Sequence, residues 1–494
     1  MRTILNSTLL YVVALFASGL VSTNVPLDHW SYNAVDKLVG CGLIDGAMMN
    51  TKPVSRIEMA RHVAEAMDKS QQLQTANEVI LAILERLKSE FTAELALIGA
   101  ADAHFVDSFI KPVEDPYFRL VYAERQPDLE NQRGDIFYSH SNYRLGFSSR
   151  MTLWNNIAFY LHPEYYNSPS GTDGDVELVE GYSIIAIGRL EIQAGKDSLW
   201  WGPGYHGSML MSNNTQPLKM LKIANPEPME LPWILRYLGP FKAVWFMTEL
   251  EQNRTIPNTK MTGLRLNFKF RPNFEFGMSR TMLFGGSGRP DVGLRDYLGV
   301  FIPQSEQAGS NQLAGFDASL MLPLVQGAPA RSVRLYADLA GEDEAGYLPS
   351  KWGGLMGLQV SDILRTGRTD LRIEYANNHV PGSPNVFYTH GMYPYTYEGR
   401  VIGHHMGTDA SDLFIQLSHY LTNDMLLDVT YDKAVQGLSS EPRQTSDQIG
   451  FDLTFFAEDK WRLIAGYRYE SGPKDGQNPH DDNQILQFCL VRRF

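Results

Sequence analysis

From about Tyr117 to Phe494 the chain repeats one pattern: short runs in which apolar and polar side chains take turns, separated by clusters of Gly, Asn, Asp and Pro. Leu264-Arg-Leu-Asn-Phe-Lys-Phe270 alternates strictly, with Leu264, Leu266, Phe268 and Phe270 on one face and Arg265, Asn267 and Lys269 on the other. Phe274-Glu-Phe-Gly-Met-Ser279 keeps the step, and Trp461-Arg-Leu-Ile-Ala-Gly-Tyr-Arg-Tyr469 carries aromatic residues near both ends. A period of two puts successive side chains on opposite faces of a strand, so this stretch predicts a mainly β domain over residues 117–494. In water, such strands form antiparallel sheets with one wet face. In a membrane barrel the apolar face meets lipid and the charged face lines the lumen. Taken alone, the alternation fits both a transmembrane barrel and a two-domain soluble β protein.

The two ends of the chain discriminate between them. Arg2 precedes an apolar core, Leu9 to Val21, and small residues follow before Pro26. That core is too short to cross a bilayer and predicts a secretory signal peptide over residues 1–23, cleaved between Gly19 and Asn24. No later apolar run approaches the ~20 residues of a membrane helix. The last predicted strand, Ile485-Leu-Gln-Phe-Cys-Leu-Val-Arg-Arg-Phe494, alternates through Leu486, Phe488, Leu490 and Phe494. A closing Phe of this kind resembles the assembly signal of bacterial outer-membrane barrels; Arg492 departs from it at a place where an interfacial arginine snorkels. The expected fold is therefore a transmembrane antiparallel β-barrel of roughly 16–18 strands, from ~380 residues with strands near ten residues long. The outer membrane supplies its lipid, and the preceding helical module is expected in the periplasm. A net charge of −13 argues against a nucleic-acid partner, which needs clustered Lys and Arg. Cys41 and Cys489 make neither a disulfide framework nor a four-ligand zinc site.

Between the signal and the barrel the periodicity is helical. Val35, Leu38 and Val39 share one face after Asp28, and Gly42 stands where a helix should stop. A second helix follows Ser55, with Glu58 at the capping-box spacing and Ile57, Ala60, Val63, Ala64 and Met67 as its buried stripe. Over residues 25–69 this arrangement resembles one surface-layer-homology repeat, carried by Asp28, Trp30, Ala34, Leu38, Gly42, Ile44, Gly46, Pro53 and Ser55-Arg56-Ile-Glu58-Met-Ala60. The resemblance implies a module that binds cell-wall polymer such as peptidoglycan, with Asp28, Trp30, Arg56 and Glu58 as candidate contacts; a structural plug is the other reading. Residues 70–100 then predict one long amphipathic helix, with Ala76, Ile80, Ile83, Leu87, Phe91, Leu95 and Ile98 on its apolar stripe and Glu85, Lys88, Glu90 and Glu94 opposite. Three roles fit it: a coiled-coil stalk making a homo-oligomer, an arm on a partner, or a helix folded back on the barrel mouth.

The richest stretch is Gly195-Lys-Asp-Ser-Leu-Trp-Trp-Gly-Pro-Gly204, followed by Tyr205, His206, Ser212-Asn-Asn and Pro217. Gly and Pro forbid helix or central strand here, so the backbone turns tightly while presenting rings: a rigid packed turn, or a platform for sugars. Three later blocks join it: Gly277-Met-Ser-Arg-Thr-Met-Leu-Phe-Gly-Gly-Ser-Gly-Arg-Pro290; Tyr336-Ala-Asp-Leu-Ala-Gly-Glu-Asp-Glu344 with Leu348-Pro-Ser-Lys-Trp352; and Gly399-Arg-Val-Ile-Gly-His-His-Met-Gly-Thr-Asp409. Together the four blocks resemble the Wzi family of capsule assembly proteins across most of residues 117–494. The resemblance implies an outer-membrane barrel that helps hold capsular polysaccharide at the cell surface, with no catalytic group and no cofactor. Aromatic faces suit sugar CH surfaces, and Arg forks suit carboxylates. The candidate glycan contacts are Trp200, Trp201, Tyr205, His206, Asn213, Arg280, Arg289 and Arg400. A general porin that also ties the outer membrane to the wall is the alternative.

Enzyme signals are weak. His404 and His405 with Asp409 suggest a metal site, but neighbours on a strand point to opposite faces, so no metal is expected. Glu342, Asp343 and Glu344 offer a carboxylate pair for glycoside chemistry and read more simply as lumen wall. Gly285-Gly-Ser-Gly-Arg289 lacks the Lys-Ser/Thr of a phosphate loop, and Asp173 and Asp175 miss an EF-hand register. No Gly-x-Ser-x-Gly elbow occurs.

Overall fold

The computed structural model describes residues 20–73, 77–101, 108–169, 174–301, 309–345, 348–458, 460–472 and 482–493. Its body is one closed barrel of 18 antiparallel strands, running from Phe109–Ala123 to Asn483–Arg492. The first and last strands close the ring, with Tyr117 opposite Val491 and Ala123 opposite Ile485. Leu264–Phe270 lies in the strand Lys260–Arg271, Phe274–Ser279 in Phe274–Phe284, and the carboxy-terminal alternation in Asn483–Arg492; Phe494 lies outside the described residues. Connections are short at one end, such as those between Ile187 and Leu190 and between Arg271 and Phe274. At the other end they are long, as between Asp197 and Leu218 or Asn377 and Ala410. We call these the helix end and the loop end.

The wall is built inside out relative to a soluble protein. Along His140–Leu153, Tyr143 and Leu145 are exposed while Asn142 and Arg144 are buried. Leu161, Ile185, Met356, Phe451 and Leu486 are likewise exposed on the outside, and Arg265, Asn267 and Asp317 are buried within. An outward apolar band over a polar interior is the pattern of a barrel in lipid, which removes the soluble two-domain alternative.

The amino-terminal module fills the helix end. Helix α1 spans Ser31–Gly40 and stops at Gly42, whose φ of 77° lets Leu43 N–H return to Leu38 C=O at 2.9 Å. Helix α2, Arg56–Leu73, is capped as expected, Ser55 Oγ accepting from Glu58 N–H at 3.1 Å. The long helix expected over residues 70–100 is not one rod. It is divided into the end of α2, α3 (Glu78–Glu90, capped by Asn77 through Ile80 N–H) and α4 (Thr92–Leu97), with Phe91 at the last junction; Ala76 is outside the described residues. Its apolar stripe is consumed inside the chain, because Ile80, Ile83, Leu87, Phe91 and Leu95 share one core with Val35, Leu38, Ala60 and Val63. That packing spends the face a coiled-coil stalk would need, and the folded-back arrangement is the one observed. Of the expected signal segment, residues 1–19 are outside the described residues. Val21 to Thr23 are built into the fold: Val21 N–H donates to Asn155 C=O, and Thr23 C=O accepts from Arg56 N–H.

Charge pairs fasten the module to the wall. Asp36 holds Arg334 at 2.9 Å and Arg372 at 2.7 Å, Lys37 meets Asp370 at 2.6 Å, and Glu58 meets Lys242 at 2.6 Å. Glu90 and Glu94, expected on the solvent face, are buried instead. Glu94 joins Arg56 of α2, at 2.8 Å, to Arg150 of the wall, and Arg150 reaches on to Glu114 at 2.6 Å. Burial pushes the Glu94 carboxyl up, but Arg150 and Arg56 prevail and hold it down to about 2. A depressed carboxylate contributes stability that is complete above the ordinary range near 4.3 and is lost as pH falls through the folded value. The helices should therefore resist pepsin near pH 4 in detergent and become cleavable as pH is lowered through about 2. Arg150→Met leaves Glu94 to Arg56 and Glu114 to Lys111 alone and should loosen the module by about 1–3 kcal/mol, read as faster hydrogen exchange of α4 amides at neutral pH.

Candidate functional site

The loop Ser198–Pro217 does not project from the barrel; it folds into it. Trp200 and Trp201 form a two-residue antiparallel ladder with Lys52 and Thr51 of the helical module, so the two inserts meet inside the lumen. Gly202 N–H extends the contact to Asn50 C=O at 2.8 Å. Arg265 of the wall braces the joint, donating to Thr51 Oγ1 at 2.6 Å and Asn50 C=O at 2.7 Å while paired with Asp317. Trp201 is 1% exposed and packs on Phe246 with ring centroids 5.6 Å apart. Gly263 makes the space: a Cβ there would stand 2.4 Å from the Phe246 ring and 2.9 Å from Trp201.

Wall carboxylates capture the loop's backbone. Both oxygens of Glu374 accept, from Tyr205 N–H at 2.7 Å and His206 N–H at 2.9 Å, and Asp338 accepts from Met209 N–H at 2.9 Å. A second inward loop, residues 378–409, knits to the first. Tyr388 Oη donates to Met209 C=O, Tyr395 Oη to Leu210 C=O, and Ser212 N–H to Ile402 C=O. His206 stacks flat on Phe414 at 4.0 Å, and Tyr205 lies under the Arg372 guanidinium at 4.1 Å. Burial works against charge on His206, but the neighbouring Asp432 prevails and holds its imidazole up to about 9. His404 is buried beside His405 and His206, which together with burial hold it well below the usual histidine range.

Beneath the loop lies a cavity of about 350 Å³, lined by Trp200, Tyr205, His206 and Asn213, together with Asp28 and Trp30 of the module. Its remaining lining is mostly neutral, with the carboxylates Glu130, Asp428, Asp432 and Asp452 set against the cations Lys52 and Arg468. The structure thus gathers four of the eight glycan candidates and two of the four wall-binding candidates at one internal place. The other four glycan candidates are elsewhere. Trp201 is core, and Arg280 bonds to Gln312. Arg289 is exposed on the loop face, and Arg400 stands beside Asp128 at 3.3 Å on a loop. Trp200 is 6% exposed, its indole N–H spent on Gly204 C=O.

The wall-binding candidates are engaged within the chain. Arg56 is held by Glu90 and Glu94, Glu58 by Lys242, Asp28 by Arg133 at 3.2 Å, and Trp30 packs edge-on to Phe456. His404 and His405 sit in a loop rather than a strand, so the opposite-faces argument does not govern them; Asp409 pairs with His379 at 2.7 Å. Glu342 accepts from Tyr388 N–H at 3.1 Å. Asp173 lies outside the described residues. Of the residues that position the loop, Asp338 lies in the Tyr336–Glu344 block with nothing there to single it out, and Glu374 and Phe414 carried no signal beyond strand alternation, since nothing local says which lumen carboxylate will meet a loop some 130 to 170 residues away.

Comparison with known proteins follows the same outline. Residues 117–485 match the family described as capsule assembly protein Wzi. A curated relative from Klebsiella pneumoniae, an uncharacterized 55.8 kDa protein in the cps region, is 26% identical over 321 residues, covering 63% of this chain. The match spans 57% of that relative's length. The solved structure of Wzi from Escherichia coli, described as an outer-membrane protein involved in group 1 capsule assembly and a carbohydrate-binding β-barrel, superposes with a TM-score of 0.74 at 21% identity, covering 97% of this chain and 100% of that one. With the family match spanning most of an 18-stranded, lipid-facing barrel, the chain belongs to the capsule assembly protein Wzi family of the outer membrane.

Proposed function

We propose that this barrel retains capsular or extracellular polysaccharide at the cell surface by non-catalytic binding on its loop face. One observation carries the reading: the lumen is filled from both ends, the helical module and the loop Ser198–Pro217 meeting in the Thr51–Lys52/Trp200–Trp201 ladder. A filled barrel has given up its interior as a route and offers the surface of its loops. The carbohydrate binding described for the Escherichia coli relative supports the same choice. On that face Arg289 and Arg400 present guanidinium groups suited to uronate and other anionic sugars. The internal cavity is a poorer host for an anionic polymer, because carboxylates outnumber Lys52 and Arg468 in its lining and repel like charge. The Trp200, Trp201 and Tyr205 rings act one step back, holding the loop in shape.

The same filling counts against the porin alternative, and the engagement of Arg56 and Glu58 within the chain counts against a wall tether built on them. We assign the amino-terminal module the work of a plug and brace, on the helix side of the membrane.

Deleting the protein should release polysaccharide into the medium while secretion continues; unchanged cell-bound polymer would sink the proposal. Planar bilayers should show no large ohmic conductance from the purified chain. Arg289→Ala and Arg400→Ala should each weaken glycan binding roughly 3- to 10-fold, about 0.7–1.4 kcal/mol, without altering heat-modifiable migration. Trp201→Ala empties a filled core site and should cost about 3–5 kcal/mol in unfolding free energy, so its effect on surface polymer should track the loss of folded protein.

A further inference from the structure

Two motifs that are distant in sequence converge at one point under the loop end. His206 comes from the loop Ser198–Pro217 and His405 from the loop of residues 378–409. Asp412 lies on the strand Ala410–Tyr420 and Asp432 on the neighbouring strand Met425–Gln436. One donor atom from each of the four lies within 4.8 Å of all the others. We propose that His206, His405, Asp412 and Asp432 form a binding site for one divalent transition-metal ion of the zinc class.

The geometry is specific. His405 Nε2 stands 3.2 Å from Asp412 Oδ2, and His206 Nε2 stands 3.4 Å from Asp432 Oδ2. A tetrahedral ion with bonds of about 2.0–2.1 Å separates its ligands by about 3.3–3.4 Å, so both pairs already have the length of a tetrahedron edge. The two imidazoles meet edge to face at 4.5 Å, converging without stacking. The side chains of Asp412, His405, Asp432 and His206 are 2, 6, 9 and 15% exposed, an environment that keeps water from competing for the ion. His206 Nε2 is buried and makes no aligned hydrogen bond, although it points at the cluster.

The surroundings fix the rings. Phe414 carries His206 flat at 4.0 Å, and Glu374 holds its backbone N–H. On the other side His404 packs against His405 at 4.5 Å. Gly207 permits that approach, since a Cβ there would fall 2.2 Å from His404 Nε2. Two imidazole nitrogens and two carboxylates form a borderline donor set that suits Zn²⁺ and its neighbours, whereas Ca²⁺ and Mg²⁺ take oxygen donors alone. A bound ion joins both inward loops to two wall strands and so fastens the loop end shut. This role is separate from glycan contact at the face above.

The test uses the full chain in detergent, stripped with chelator and titrated at pH 8 with Zn²⁺, then with Co²⁺ as the spectroscopic probe. One ion per chain is expected, with the visible bands of four-coordinate Co²⁺, and at least a tenfold loss of affinity in His405→Gln and in Asp412→Asn. Heat-modifiable migration reports whether each variant is folded. X-ray absorption at the zinc edge of the wild-type chain needs no variant, and should show imidazole scattering. Absence of stoichiometric uptake by the folded wild type, an edge spectrum without imidazole, or unchanged uptake by both folded variants overturns the site and leaves two His–Asp ion pairs.

Discussion

A charged side chain on the inner wall of a membrane barrel must find a partner in the lumen, because the lipid outside has none to offer and an unpaired buried charge is expensive. Much of that demand is met here by protein groups. Arg334 and Arg372 are answered by Asp36, Lys242 by Glu58, Arg150 by Glu94, and Arg265 by Asp317 and the Asn50 backbone. Coming from the loop side, Glu374 and Asp338 are answered by backbone N–H groups of residues 205, 206 and 209. The wall and its contents therefore specify each other. Remove either insert and a ring of desolvated charges loses its counterparts.

That mutual dependence explains what could be read from the sequence and what could not. Strand alternation is local, so Leu264–Phe270 and Phe274–Ser279 declare their faces within seven residues, and Ser55 declares a helix start within three. The number of strands follows from length. Glu90 and Glu94 show the limit: their positions on the helix face opposite the apolar stripe read as solvated, and it is Arg56 with Arg493 for Glu90, and Arg56 with Arg150 of the wall for Glu94, that compensate their burial. The Trp200–Trp201 turn shows a second limit. Its composition marks a place where rings and a tight backbone coincide, but a sugar platform and a core joint share that composition. Lys52, Thr51 and Gly263 decide between them, and they lie far away in the chain.

Family membership and geometry divide the labour in the functional account. Two of the four ordered sequence blocks fall where the loops turn inward, the tryptophan block forming the first insert and the Gly399–Asp409 block belonging to the second, while the other two run along wall strands. The first two thus mark machinery that closes the loop end. The exposed Arg289 and the part-buried Arg400, beside Asp128, stand on the loop face within two of the four blocks.

The ladder between Thr51–Lys52 and Trp200–Trp201 also has a mechanical meaning. Main-chain hydrogen bonds make the inward loop and the helical module one continuous strut along the barrel axis. Tension applied at the loop face cannot simply peel the loop away. It divides among Glu374, Asp338 and the tyrosine contacts, and then passes down the strut into helices pinned by ion pairs at the opposite rim. Bonds loaded in parallel each feel a fraction of the pull. For an anchor whose cargo is a long chain dragged by flow, resistance to extraction then belongs to the whole depth of the membrane rather than to its surface.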